Sequence, residues 1–167
     1  MRTPDQFGAS ARITVEGAHM ASTLARLVEH DKRPGVTLQE ATNRLMELVP
    51  EVRQVGLERD AVRQQLSVNV KMRGSDMSLG PRALSDGTLR FLALVTLLLD
   101  PTACEVLCME EPENGMHPAR IPNAVQLLRD FAVDAECPVD TENPLRQVII
   151  NTHSPDVVRQ LDADQVL

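Results

Sequence analysis

Val106-Leu107-Cys108-Met109-Glu110-Glu111-Pro112 is an apolar run closed by two adjacent carboxylates, and it continues as Glu113-Asn114-Gly115-Met116-His117-Pro118. A short apolar run bounded by a breaker reads as a buried strand, predicted over 105–109. A helical segment at 118–132 and a second strand at 146–151 follow it. Strand, crossover helix, strand implies a parallel sheet with a right-handed connection, and so an α/β chain. In such sheets ligands gather beyond the carboxyl ends of the strands. Glu110 and Glu111 stand at such an end, where adjacent acids suit holding a metal ion and activating a water.

Upstream lies Leu84-Ser85-Asp86-Gly87-Thr88-Leu89-Arg90. It opens a segment, 86–99, that is apolar nearly all round and therefore predicted as a helix buried on most sides. Ser85 is the candidate cap, and a hydroxyl and a glycine at a helix opening turn free N–H groups and the positive helix end toward an anion. Asp86 and Arg90 also have the i,i+4 spacing of an ordinary ion pair. Downstream, Ile150-Asn151-Thr152-His153-Ser154-Pro155 places His153 between a strand and a short helix, with Ser154 and Pro155 at its cap and first position.

In this order and spacing the three segments resemble the signature motif, Walker B strand and histidine switch of ABC-type ATPases of the phosphate-loop NTPase superfamily. They are similar to a stand-alone bacterial, AAA-like family whose chains read roughly LSDGTLR, EEPENGxHP and THSP. The resemblance is strong over 84–155 and loose before it. It implies an incomplete ATPase domain, with a mostly parallel sheet and flanking helices, that hydrolyses ATP with Mg²⁺ at a dimer interface. By resemblance, Glu110 takes the acid position that supports Mg²⁺ through its water shell, although most ABC ATPases carry Asp there. Glu111 takes the position of the carboxylate that polarises the attacking water, and His153 that of the switch contacting the γ-phosphate. Ser85, Asp86 and Gly87 form the signature, which reaches in trans to the γ-phosphate held by the other subunit. Glu113, Asn114 and Gly115 fall in the D-loop region, Asn151 and Thr152 are strand-end supports, and His117 has a structural or interface role. Relatives with these motifs serve DNA repair, chromosome maintenance and anti-phage defence, which makes a nuclease or DNA a candidate partner.

The phosphate loop itself, Gly-x-x-x-x-Gly-Lys-Ser/Thr, is missing. The two lysines are Lys32, after Asp31, and Lys71, after Val70, and neither stands in such a loop. Three explanations follow. The chain is a fragment of a longer ATPase, a reading to which Gln165-Val166-Leu167 contributes by resembling the opening of a further strand. It is a split subunit that pairs with a separate partner chain carrying the loop. Or it is an inert interaction module, against which the intact Glu110, Glu111 and His153 argue. In each case the chain alone is expected to be inactive.

With 167 residues, 43% hydrophobic, the chain can bury one core. Three segments are expected: a loose leader at 1–11, a helical and β segment at 12–83, and the motif-bearing part at 84–167. Met20, Leu24, Leu27 and Val28 have helical spacing, and Thr37 with Glu40 reads as a capping box opening a second helix. Leu66, Val68, Val70 and Met72 alternate with polar residues as in a half-buried strand, and 52–57 is its neighbour. A net charge of −7 leaves no basic footprint for nucleic acid, and 2% aromatic residues without Trp or Tyr offer no platform for stacked bases. Cys104, Cys108 and Cys137 form no Cys-x-x-Cys pair, which points to a reducing cytoplasm; Cys108, inside an apolar strand, is expected to act as a small hydrophobe. No two histidines have zinc-ligand spacing. No apolar stretch reaches the ~18 residues that span a bilayer, and no signal-type segment opens the chain.

Overall fold

The computed structural model describes residues 1–8, 12–14, 17–31, 33, 35–103, 105–141 and 143–166. It divides into two compact units, Met1–Asp100 and Pro101–Leu167. The expected boundary at residue 84 falls inside the first unit, so the segment opened by Ser85 belongs with the residues before it.

The first unit is built on an antiparallel sheet. Strand β2 (Val52–Asp60) pairs with β3 (Gln65–Met72), while β1 (Asp5–Gln6) and β4 (Ser78–Leu79) pair with the other side of β3. This corrects the expectation of a mostly parallel sheet. The connection between β2 and β3 is far too short for the crossover that parallel strands require. The alternation of Leu66, Val68 and Val70 with polar residues is also what a sheet with one solvated face shows. Lys71 sits within β3, opposite Gln54 and Ser78, and Lys32 lies outside the described residues.

Helices α1 (Met20–Glu29), α2 (Val36–Leu48) and α3 (Asp86–Leu99) complete this unit, with α2 against β2 and α3, and α1 against β3. Leu24, Leu45, Leu48, Val68, Val70, Leu89, Leu92 and Val95 are fully buried. Each such side chain contributes roughly 1.5–3 kcal/mol of burial free energy. Val52 and Val55 both face this core although three residues apart, because the register shifts between Val52 and Gln54 and an extra residue bulges out. The Thr42 hydroxyl of α2 accepts the Val55 N–H at 2.9 Å and donates to the Leu38 carbonyl at 2.7 Å.

Neither α1 nor α2 is capped by its own N-cap side chain. Residues His19 and Gly35 hold those positions in left-handed backbone, and carboxylates from elsewhere do the capping. Asp5 accepts the His19 and Ser22 N–H groups, and Asp31 accepts the Thr37 N–H and hydroxyl. Thr37 is therefore inside the first turn, not a capping box residue. The expected loose leader is likewise anchored at Asp5–Gln6 and by the Phe7 N–H to the Gln64 carbonyl; residues 9–11 lie outside the described residues.

The second unit holds a parallel pair, β5 (Val106–Glu110) and β6 (Gln147–Asn151), joined through a 3₁₀ turn at Pro118–Arg120 and helix α4 (Ile121–Phe131). Helix α4 packs against β6 and buries Ile121, Ala124, Val125, Leu127, Leu128 and Phe131. Val157, from the short helix α5 (Pro155–Val158), joins Ile121 and Val125 with Leu161 beside them. The buried Arg146 lays its guanidinium over the Phe131 ring at 4.8 Å. Asn143 organises the preceding loop, donating to the carbonyls of Asp134, Cys137 and Pro138.

The side chains of this pair alternate in exposure. Leu107, Met109, Val148 and Ile150 are half-buried, whereas Val106 (47% exposed), Cys108 and Ile149 (57% exposed) face outward. Cys108 is thus not the enclosed small hydrophobe expected. Of the residues expected to open a further strand, Gln165 closes a 3₁₀ turn, Ala163–Gln165, held by a capping box with Asp162, and Val166 follows it in extended backbone; Leu167 lies outside the described residues.

Candidate active site

In the second unit the register of β5 and β6 runs from Val106 opposite Gln147 to Glu110 opposite Asn151. Both strands therefore end together, and the two motifs at their carboxyl ends become neighbours. The Glu111 N–H donates to the Asn151 carbonyl at 2.7 Å, extending the ladder by one bond. The backbone then swings into the left-handed region at Glu111, with φ 45°. For a residue with a Cβ that conformation costs roughly 1–2 kcal/mol. It turns the chain away from the sheet, and two turns follow: the Asn114 N–H to the Glu111 carbonyl and the Met116 N–H to the Glu113 carbonyl, both 2.9 Å. Gly115, at φ 79°, supplies the second reversal. Glu110 is left exposed and Glu111 half-buried.

At the end of β6, Thr152 precedes an exposed His153. The Thr152 hydroxyl donates to Glu113 Oε1 at 2.5 Å and accepts the Ser154 N–H at 3.0 Å. Glu113 Oε2 is buried without a hydrogen-bond partner. Ser154, expected to cap α5, makes no side-chain cap bond, and Thr152 serves its N–H instead. The Glu113–Thr152 bond was not foreseen from the sequence. Its only trace there is a polar residue just past the end of each of two neighbouring parallel strands. His117 Nδ1 accepts the Ala119 N–H at 3.2 Å and so caps the 3₁₀ turn, the structural role expected of it.

The signature residues belong to the first unit. Ser85 caps α3, its hydroxyl accepting the Thr88 N–H at 3.1 Å. Ser85 and Asp86 are exposed and Gly87 half-buried, so the first turn of α3 meets solvent with its N–H groups outermost. Asp86 finds its partner outside the helix rather than at Arg90, one turn on. It pairs with Arg2 Nη2 at 2.7 Å, and Arg2 Nη1 also donates to the carbonyls of Pro81, Arg82 and Leu84. The start of the chain thus braces the loop that leads into the signature.

A family model described as "AAA domain, putative AbiEii toxin, Type IV TA system" matches residues 37–159. The chain belongs to this family and is an ATPase-like AAA domain of the phosphate-loop class. No curated protein sequence matches it. Among solved structures it is similar to an SMC ATPase studied for ATP-driven dimerization and DNA-stimulated activation, with 14% identity and a TM-score of 0.56 over 85% of this chain and 78% of that one. It is also similar to the Smc head domain of Pyrococcus furiosus, with an extended coiled coil and bound to the C-terminal domain of ScpA, at 14% identity and a TM-score of 0.54. The Smc head domain of Pyrococcus yayanosii, with a coiled coil and joint, gives 14% and 0.53. The chain spans 30% and 23% of those two proteins. These likenesses define the fold as that of SMC ATPase heads. No helix among the described residues is long and apolar enough to cross a membrane.

Proposed function

We propose that this chain is the catalytic, signature-bearing portion of an ABC-type ATPase that works as a dimer. The observation that carries the reading is the shared end of β5 and β6, where Glu110, Glu111 and the switch loop of His153 lie on adjacent strands. Glu111 accepts a proton from water and orients it, and His153 contacts the γ-phosphate. Ser85 and Gly87, at the open end of α3, supply N–H and hydroxyl donors to the nucleotide of the other subunit. Asp86 braces this element through Arg2. Among the described residues no group of three acids, histidines or cysteines forms a cation cage. An exposed acid at a strand end suits Mg²⁺, which keeps waters and shares itself with phosphate oxygens, so Glu110 is the residue that would hold it. Bound there, the ion would neutralise charge developing on the transferred phosphoryl group.

A phosphate loop must come from elsewhere, either a longer form of the polypeptide or a partner chain, because the lysines here are Lys32 and Lys71 alone. The exposed side chains of Val106, Cys108 and Ile149 support this, since parallel sheets are stable when both faces are covered. The family's description, with its type IV toxin–antitoxin system, favours anti-phage defence over DNA repair as the setting. The second reading, an inert interaction module, has the missing loop in its favour and the intact Glu110, Glu111 and His153 against it.

The test begins with the intact mass of the native protein from its source cells. A mass above 18.4 kDa identifies the longer form, and a mass equal to it directs the search to a co-purifying partner. ATP hydrolysis by that assembly, lost in Glu111→Gln with nucleotide-driven dimerisation retained, is the expected result. Hydrolysis that persists in Glu111→Gln would remove Glu111 from the mechanism.

A further inference from the structure

We propose that Glu113 and Thr152 form a positioning pair that locks the turn after the acid pair to the switch loop. It rests on the reading of Glu111 and His153 as catalytic residues, and it concerns how their loops are kept in one geometry. Each member of the pair sits beside one of them: Glu113 lies just past Glu111 and Pro112, and Thr152 immediately precedes His153. The two are 39 residues apart in the chain and meet in a single 2.5 Å hydrogen bond.

The Thr152 hydroxyl has one proton and spends it on Glu113, so its remaining capacity is as an acceptor, which the Ser154 N–H takes up. The hydroxyl therefore fixes the backbone on the far side of His153 as well as the carboxylate across the gap. Among the described residues the Glu113 carboxylate bonds Thr152 alone, and its Oε2 is buried and unsatisfied. Burying an unsatisfied carboxylate oxygen is unfavourable, and an apolar residue would fill the same space without that penalty. A carboxylate at this place is explained by the bond it makes. Apart from that bond, the turn after Glu111 rests on backbone hydrogen bonds alone, and it starts from a disfavoured φ that gains from a downstream anchor.

The experiment compares Glu113→Ala and Thr152→Val with Glu113→Gln and Thr152→Ser, which keep an acceptor and a hydroxyl. Amide hydrogen exchange is read on the full chain. Glu113→Ala should speed exchange at the Ser154 amide, and Thr152→Val at the Asn114 and Met116 amides, each by about tenfold for the loss of one charge-assisted bond. The double variant should be no faster than the single ones; Thr152→Ser should stay within about twofold of the parent, and Glu113→Gln, whose bond is neutral, should fall between the parent and Glu113→Ala. Exchange that changes only in the mutated loop, or adds in the double variant, would overturn the pair. Should the two truncating variants unfold, Glu113→Gln still decides: its weaker, neutral acceptor should speed exchange at the Ser154 amide across the gap, and no change there would overturn the pair.

Turnover is then read in the assembled ATPase. Glu113→Ala should lower kcat with KM for ATP unchanged, and Glu113→Gln should restore it. An unchanged kcat in Glu113→Ala would reduce the pair to a structural clasp. Absence of hydrolysis in the unmutated assembly would refute the ATPase reading and leave the exchange result standing.

Discussion

At Glu111 the backbone and the side chain make different demands. The left-handed φ suits glycine, while the position at the end of β5 suits a carboxylate. Glu111→Gly should therefore be more stable than Glu111→Ala by about 1 kcal/mol in urea denaturation, because only glycine adopts that backbone without penalty. A stability order with Ala above Gly would mean the turn rearranges. The acid persists at a strained position, which is where function commonly overrides local preference. A second prediction concerns Cys137. Its thiol donates to Asp134, and that hydrogen bond, with the nearby negative charge, holds its pKa above the ordinary thiol value. Less thiolate is present at a given pH, so alkylation is slow. In a Cys104→Ser, Cys108→Ser background, Asp134→Asn should lower that pKa and speed iodoacetamide labelling at pH 8 several-fold. An unchanged rate would show that the bond does not control the thiol.

At the scale of elements, α3 is the clearest case of agreement between sequence and structure. Its apolar run, its Ser85 cap and its stop at Asp100 are all local signals, and the helix spans Asp86–Leu99 as predicted. Ser85→Ala should cost about 1 kcal/mol of stability through the lost Thr88 bond. In the assembled ATPase, Ser85→Arg should block closure of the proposed dimer while the mutated subunit still binds ATP, measured by sedimentation with and without nucleotide. Loss of ATP binding by that same subunit would place the signature in cis. Strands β2 and β3 were legible as strands but not in their antiparallel sense, the two-residue β1 and β4 were not legible at all, and the parallel sense of β5 and β6 followed from the helix between them. The pattern of Leu66, Val68 and Val70 fixes a face, whereas pairing depends on what lies alongside. The helix caps show the same limit. A Thr37–Glu40 spacing looks local, yet the carboxylate that caps α2 is Asp31, and the one that caps α1 is Asp5, brought in from another strand. At the candidate site the closeness of the acid pair to the loop of His153 was legible, because strand, helix, strand implied that β5 and β6 lie side by side. The Glu113–Thr152 bond was not, since it exists only once β5 and β6 lie in register.

At the scale of the whole molecule, the exposed side chains of Val106 and Ile149 on β5 and β6 are the feature through which the proposed assembly is tested. Ile149→Lys should leave the chain folded, with a change within about 0.5 kcal/mol because the residue is already exposed. The same substitution should prevent co-purification with the phosphate-loop portion, and unimpaired co-purification would show that these side chains are not where that portion packs. The antiparallel sheet of the first unit is guarded differently at its rim. Strand β2 has no strand on its far side among the described residues, but the Thr42 hydroxyl occupies the Val55 N–H. Helix α2 thereby takes up a donor that an incoming strand would need. The same bond that fastens a helix to a strand thus also closes part of the sheet's rim: Val55 is fully buried, and its amide is not on offer to a strand from another molecule.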